Sequence, residues 1–326
     1  MFCPWQVRGA FGGALSGCYL PEKMPIRSRL APTPSGLLHP GNAVSFLLTW
    51  GLVRAWGGTL VLRIDDLDAA RRRRDYVEDI FRSIEWLGLD YDEGPSDVES
   101  LVGRYSQQHR LPRYLQAVER LRTGGHLFAC TCSRRDIREA SATGRYPGTC
   151  REKDLSFSAK KVAWRIKVPP EAGFEQPAWP GESIVLEPGR TMGDFVVLGK
   201  NRVPAYQVAS LMDDLEMGIN FVVRGTDLWP STAAQRFLAE SLDEPAFARI
   251  RFWHHRLLTG PSGEKLSKSK GAGSLQAWRE AGRGPETLVE QAAGWLGMKL
   301  GPQPSSDELR AAIARQWPKP PAFPEG

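Results

Sequence analysis

The stretch RLAPTPSGLLHPGN, residues 29–42, decides the fold class of this 326-residue chain. Ile26 to Ala31 read as a short strand, and the Pro, Ser and Gly that follow supply a tight connection. Val44, Leu47, Leu48 and Leu52 then recur at helical spacing, so a helix opens close to Gly41 or Asn42. A histidine and a glycine at such a strand-to-helix junction suit phosphate chemistry, because free backbone N–H groups and the helix dipole favour negative charge there. Gly41 would let a flat base approach the backbone, and His39 would donate to phosphate oxygens. The competing reading is that His39 simply caps the helix.

Working outward, TLVLRI (59–64) is a continuous apolar run of the kind a buried parallel strand shows, and it ends in the acidic DDLD of Asp65 to Asp68. Helical patterns return over Val77 to Leu87 and Arg110 to Arg122, so the first ~120 residues read as an α/β half-domain of βα units. Ligands of such sheets bind at the carboxyl ends of the strands, where both APTPSGLLHPGN and DDLD lie. Residues 124–200 differ in texture: they hold glycine-rich turns, a cysteine cluster and the alternating VAWRIKV, which reads as a half-buried strand of an inserted domain. Afterwards DFVVLG and INFVVRG read as buried strands of the returning sheet. Between them lies a helical AYQVASLMDDLEMG, and a helix from about Ser231 to Leu242 follows. The last 50 residues read as helical before a proline-rich end, PKPPAFPEG.

Composition, 41% hydrophobic and 25% charged, is that of a folded protein, and a net charge of +6 with pI near 9.1 leans toward a polyanionic partner. The run Arg71, Arg72, Arg73 and Arg74 offers phosphate contacts or a solvated helix face. No run of 18 apolar residues occurs, so no membrane partner is expected. Residues 1–23 lack a basic start and a cleavage site, and translation from Met24 or a disordered leader accounts for them. Five cysteines, an odd number without an export signal, argue against a disulfide framework. Cys130, Cys132 and Cys150 fall within 21 residues and point to metal instead.

The lysine-rich KLSKSKG, residues 265–271, is by itself a solvated basic loop. Beside LLHPGN it reads as a loop that folds over a triphosphate and stabilises the charge of departing pyrophosphate. Together, LHPGN resembles the HIGH motif and KLSKS the KMSKS motif of class I aminoacyl-tRNA synthetases. Four ordered blocks, RLAPTPSGLLHPGN, GGTLVLRIDDLD, VPAYQVASLMDD and VVRGTDL, narrow the resemblance to the glutamyl and glutaminyl group.

The resemblance implies an ATP-dependent ligase that activates L-glutamate with ATP and Mg²⁺ to glutamyl-adenylate, then passes the glutamyl group to an RNA hydroxyl. It implies that Arg29 pairs with a glutamate carboxylate, with Thr33 beside it, for which the guanidinium fork is well shaped. Asp65 stands where the group usually carries glutamate and would hold the substrate ammonium. Tyr206 and Arg224 would contact the substrate, Arg224 rejecting glutamine. His39, Gly41, Asn42, Lys265 and Lys268 would bind ATP, with His39 and Lys268 catalytic. Asp213 and Asp214 read as a solvated acidic helix face.

Within that group the cysteines are closest to the glutamyl-queuosine tRNA(Asp) synthetase family, which resembles a truncated glutamyl synthetase and holds Zn²⁺ with C-x-C and Y-x-x-x-C. The resemblance thus implies Cys130, Cys132, Tyr146 and Cys150 as zinc ligands, His126 being a possible substitute. Only about 55 residues follow the lysine loop, too few for a usual anticodon-reading domain. The implied acceptor is therefore the cyclopentenediol of queuosine at the wobble position of tRNA(Asp), with a small glutamyl-tRNA synthetase as the alternative. The expected fold is α/β: a Rossmann-type parallel-sheet catalytic domain in two halves, residues 24–122 and 194–275, with an inserted zinc-bearing α+β subdomain at 123–193. A short helical segment at 276–326 ends a chain expected to act as a cytoplasmic monomer.

Overall fold

A computed structural model describes residues 25–181, 183–258 and 273–320. Strand β1 (Arg27–Leu30) pairs in parallel with β2 (Thr59–Leu62), in register from Arg27 opposite Thr59 to Leu30 opposite Leu62. Helix α1 (Pro40–Ala55) makes the crossover between them. It begins at Pro40, one residue before the expected start, because proline is favoured at a first helical position where no N–H bond is lost. Downstream come α2 (Arg74–Trp86), the single turn α3 (Val98–Ser100) and α4 (Leu111–Thr123).

The middle of the chain is antiparallel. Strands β3 (Leu127–Cys130), β4 (Ala163–Ile166) and β7 (Val196–Leu198) form one sheet in the order β3-β4-β7. Helix α5 (Arg134–Ala140), the hairpin β5 (Phe174–Pro177) with β6 (Ser183–Leu186), and the short α6 (Pro188–Thr191) complete this region. Two sequence expectations change here. All four residues of β4 are buried, so VAWRIKV is not a half-buried strand: its outward positions are covered by neighbouring chain, and Arg165 lies over the Tyr146 ring at 4.0 Å. DFVVLG, expected in the returning parallel sheet, pairs antiparallel with β4 instead. An apolar run alone does not fix its partner strand.

Parallel pairing resumes with β8 (Phe221–Gly225) and β9 (Arg251–His255), joined through α8 (Trp229–Ser241) and the short α9 (Pro245–Ala248), with α7 (Tyr206–Glu216) preceding them. Asn220 ties the two parallel pairs together. Its N–H donates to Arg27 O at 3.0 Å, its Oδ1 accepts from Arg27 N at 2.8 Å, and its carbonyl accepts from Arg251 N at 2.9 Å. Helices α10 (Leu275–Glu280), α11 (Glu286–Trp295) and α12 (Ser306–Gln316) follow.

One core buries α1 against the C-terminal helices: Leu47, Leu48 and Leu52 share a cluster with Val289, Ala292, Leu309 and Ile313, all inaccessible to solvent. The close approach needs Gly51, where a Cβ would lie 2.8 Å from Ile313 Cδ1. A second core joins α4, α7 and α8 to the antiparallel sheet through Tyr114, Val197, Val208 and Leu238. No helix among the described residues is long and apolar enough to cross a membrane.

Candidate active site

His39 caps α1. Its Nδ1 accepts from Gly41 N at 3.1 Å, and Asn42 Oδ1 accepts from His39 N at 3.0 Å, a reciprocal cap that fixes both side chains at the helix start. Because Nδ1 accepts, the proton of the neutral ring sits on Nε2. A Cβ on residue 41 would lie 3.0 Å from His39 Cε1, so glycine is what lets the ring lie across the backbone.

These residues open onto a cleft of about 200 Å³ that is also lined by Arg29, Tyr206, Arg224 and His255. A second cleft, about 460 Å³, is lined by Thr33, Asp65, Asp66, Arg71, Arg72, Gln107 and Arg134. Tyr206, the first residue of α7 and 37% exposed, lines both. The expected glutamate set is thus divided between two clefts that meet at Tyr206. Lys265 and Lys268 lie outside the described residues.

Arg224 is the last residue but one of β8 and is 3% exposed. Its Nη2 donates to Thr232 Oγ1 and to Gln235 Oε1, while Nε and Nη1 are buried with no hydrogen-bond partner. Burial, with some help from the positive charge of Arg29, lowers its pKa to about 10 despite the opposing pull of Tyr206 and Asp214, so the guanidinium stays charged at neutral pH. A buried cation with two unmet donors is costly unless an anion arrives. Next to it, His254 Nε2 lies 2.6 Å from Thr232 Oγ1, and burial followed by the charge of Arg224 pushes its pKa down to about 3. His255 is also lowered by burial, its Nδ1 on the Arg256 carbonyl at 2.8 Å and its Nε2 3.1 Å from Ser45 Oγ.

Asp213 and Asp214 are not a solvated face: both are at most 1% exposed. Asp214 Oδ1 accepts from Arg29 Nε at 3.0 Å and from Arg63 Nη1 at 2.6 Å. Burial opposes its charge, but the two guanidinia outweigh burial and hold its pKa below the usual carboxylate value. Arg63 also grips Asp65, through Nε at 2.7 Å and Nη2 at 3.2 Å, while burial raises the Asp65 pKa against that pull. Asp213 takes Arg110 at 2.7 Å, Tyr114 OH at 2.6 Å and Gln107 Nε2 at 2.9 Å. The sequence carries a signal for this: Tyr206, Ser210 and Asp214 follow at i, i+4 and i+8, one face of α7, and Ser210 and Asp214 on that face meet the buried Arg29 and Arg63.

The arginine run is not a bare basic patch. Arg71 pairs with Asp68 at 3.2 Å, Arg72 with Asp66 at 2.7 Å, Arg73 with Asp75 at 2.8 Å, and Arg74 with Glu78 at 2.9 Å and Glu99 at 2.7 Å.

Cys130 at the end of β3, Cys132 and Cys150 bring their sulfurs within 4.8 Å of one another, Cys132 and Cys150 to 3.6 Å. Tetrahedral zinc with Zn–S bonds of about 2.3 Å separates its sulfurs by about 3.8 Å, so the trio fits such an ion. Tyr146 OH lies 3.5 Å from Cys130 Sγ and accepts from Cys150 N at 2.7 Å. His126 is not part of this group. Burial raises Cys132 to about 11. At Cys150, burial is outweighed by the Thr131 backbone and the Tyr146 and Cys132 side chains, which bring it to about 6.

The family of tRNA synthetases class I (E and Q), catalytic domain, matches residues 25–303. The chain is 39% identical over 297 residues to the glutamyl-Q tRNA(Asp) synthetase of Symbiobacterium thermophilum, covering 86% of this chain and 89% of that one. It is 35% identical over 292 residues to the protein of the same name from Deinococcus radiodurans, covering 86% and 93%. Against a glutamate–tRNA ligase of Symbiobacterium thermophilum it is 34% identical over 296 residues and spans 58% of that protein's length. In fold it resembles the glutamate-tRNA synthetase of Elizabethkingia anophelis, with a TM-score of 0.69 at 23% identity, over 88% of this chain and 65% of that one. The capped start of α1 and the buried arginines near it thus sit within a known lineage: the chain is a member of the class I tRNA synthetases of the E and Q group, a family of ATP-dependent ligases.

Proposed function

We propose that the protein activates glutamate and transfers it to the cyclopentenediol of queuosine at the wobble position of tRNA(Asp). The buried, half-unpaired Arg224 carries the amino-acid assignment, because its two unmet donors suit the side-chain carboxylate of glutamate and reject an uncharged amide. Identity to two proteins named glutamyl-Q tRNA(Asp) synthetase across nearly their whole length supports the acceptor assignment.

ATP enters as its Mg²⁺ complex at the start of α1, where His39 Nε2–H, Gly41 and Asn42 meet phosphate and base, and Lys265 and Lys268 hold the triphosphate. Arg29 takes a carboxylate of glutamate, Thr33 lies beside it, Asp65 holds the ammonium, and Tyr206 packs where the two clefts join. An oxygen of the α-carboxylate attacks the α-phosphorus and pyrophosphate leaves. A queuosine ring hydroxyl then attacks the acyl carbon, AMP leaves, and the hydroxyl proton goes to solvent.

Cys130, Cys132 and Cys150, with Tyr146 as fourth donor, would hold Zn²⁺ as a structural cross-link. In this reading residues 24–122 and 194–275 form a Rossmann-type unit, 123–193 is the zinc-bearing insert whose sheet is completed by β7, and the chain acts as a cytoplasmic monomer. The parallel pairs tied through Asn220 support that division.

Labelled glutamate offered with ATP to tRNA(Asp) containing or lacking queuosine tests the reading. Label confined to the modified tRNA, and absent from its 3′ end, is expected. Label on the 3′ end would instead favour a glutamate–tRNA ligase.

A further inference from the structure

Arg29 and Asp65 lie on different segments and in different clefts, yet they are not independent. Asp214 Oδ1 accepts from both Arg29 Nε (3.0 Å) and Arg63 Nη1 (2.6 Å). The other edge of the Arg63 guanidinium grips both oxygens of Asp65, and its Nη2 also donates to Ser210 Oγ at 3.1 Å. Arg29, Arg63 and Asp214 are at most 5% exposed, and Asp65 is 7% exposed. The result is one alternating chain of charge, Arg29–Asp214–Arg63–Asp65, running from the end of β1 through α7 to the segment after β2.

We infer that Asp214 and Arg63 are positioning residues that set the separation of Arg29 and Asp65, so that the group meeting the substrate carboxylate and the group meeting its ammonium act as one rigid ruler. This inference rests on the glutamate reading proposed above. Neither Asp214 nor Arg63 lines either cleft, whereas Arg29 and Asp65 each do. A planar fork is required at residue 63, because one edge must serve Asp65 while the opposite nitrogen serves Asp214. A lysine ammonium carries the charge but cannot present both edges. Burial makes the arrangement stiff: with no water to replace a lost partner, each member stays where its neighbours put it. Asp65 is held by Arg63 on both oxygens, so where its carboxylate stands depends on where Arg63 stands.

The experiment is glutamate-dependent ATP–pyrophosphate exchange with purified full-length protein, measuring KM for glutamate and for ATP together with the thermal midpoint. In Asp214→Asn and in Arg63→Lys, KM for glutamate is expected to rise about 10- to 100-fold, the scale of an ångström-sized misplacement. KM for ATP should stay within about twofold, since the α1 start is untouched. Arg63→Lys preserves net charge, so it tests geometry even if Asp214→Asn, which leaves excess buried positive charge, fails to fold. Folded variants with unchanged glutamate KM, or with both KM values raised alike, overturn the inference. Loss of folding in both variants also overturns it, in favour of a purely structural network. A wild-type protein with no glutamate-dependent exchange refutes the underlying function instead, so the two failures are told apart.

Discussion

Arg224 donates to Gln235 at 3.0 Å through Nη2, yet Nε and Nη1 of the same buried guanidinium meet no hydrogen-bond partner. Such a group is held in readiness at a cost to the free protein. Replacing it with a methionine of similar length removes a buried charge whose desolvation outweighs the pull of Tyr206 and Asp214, so the thermal midpoint of Arg224→Met is expected to hold or rise. Losing charge-assisted hydrogen bonds to the substrate is worth about 1.5–3 kcal/mol, so kcat/KM for glutamate in pyrophosphate exchange should fall roughly 10- to 150-fold. A stability gain with unchanged glutamate kinetics would remove Arg224 from the site.

His254 supplies a pH prediction. Its pKa falls to about 3 in the fold, through burial and then the Arg224 charge, from an ordinary value of 6.5. Between those values the unfolded chain holds a proton that the folded protein refuses, so stability drops as pH falls through 6.5 and continues to drop toward 3. Over pH 7 to 5 this amounts to about 2 kcal/mol for one such group. His255 shifts in the same direction. Scanning calorimetry at pH 7, 6 and 5 should show a falling midpoint, with a shallower fall in His254→Gln; parallel slopes would assign the pH dependence elsewhere.

The strand–loop–helix at Arg29 to Ala55 was legible because two signals coincide there: a proline and glycine loop, and apolar residues at helical period. The clefts at the strand ends follow from it. The α7 acids were not legible as site neighbours, because a pair of aspartates on an amphipathic helix looks the same whether water or arginine neutralises it. Only the positions of Arg29, Arg63 and Arg110, distant in sequence, decide that Asp213 and Asp214 are buried. For the same reason the sheet membership of DFVVLG was hidden: its residues specify a buried strand, and the partner comes from tertiary context.

The sulfur trio predicts a metal-dependent fold for the middle of the chain. Purified protein is expected to carry about one zinc per chain, and a strong chelator should lower the thermal midpoint and deform the region around β3 first. Cys132→Ser should lose the ion altogether. Tyr146→Phe separates two roles of the phenol, since the ring still packs near Phe128 at 6.0 Å while the oxygen that meets Cys150 N is gone. Faster loss of zinc to a chelator in that variant is expected; zinc retention equal to wild type would show that Tyr146 is not a donor.

Gly41 supplies the sharpest geometric test of the nucleotide cleft. A methyl group at this position would sit 3.0 Å from His39 Cε1 and 3.1 Å from Nδ1, tighter than such atoms normally pack, so the imidazole of Gly41→Ala must give by a few tenths of an ångström and its cap is weakened. Weakening the cap costs up to about 1 kcal/mol of stability. Alanine raises helix propensity by a similar amount, about 0.8–1 kcal/mol, so the thermal midpoint should scarcely change. The ring that presents Nε2–H at the start of α1 is nonetheless displaced. KM for ATP in pyrophosphate exchange is therefore expected to rise while KM for glutamate, set by Arg29 and Arg224 at the strand ends of the same cleft and by Asp65 in the neighbouring one, stays near wild type. The reverse pattern would mean that His39 serves α1 as a cap alone and that ATP is held elsewhere.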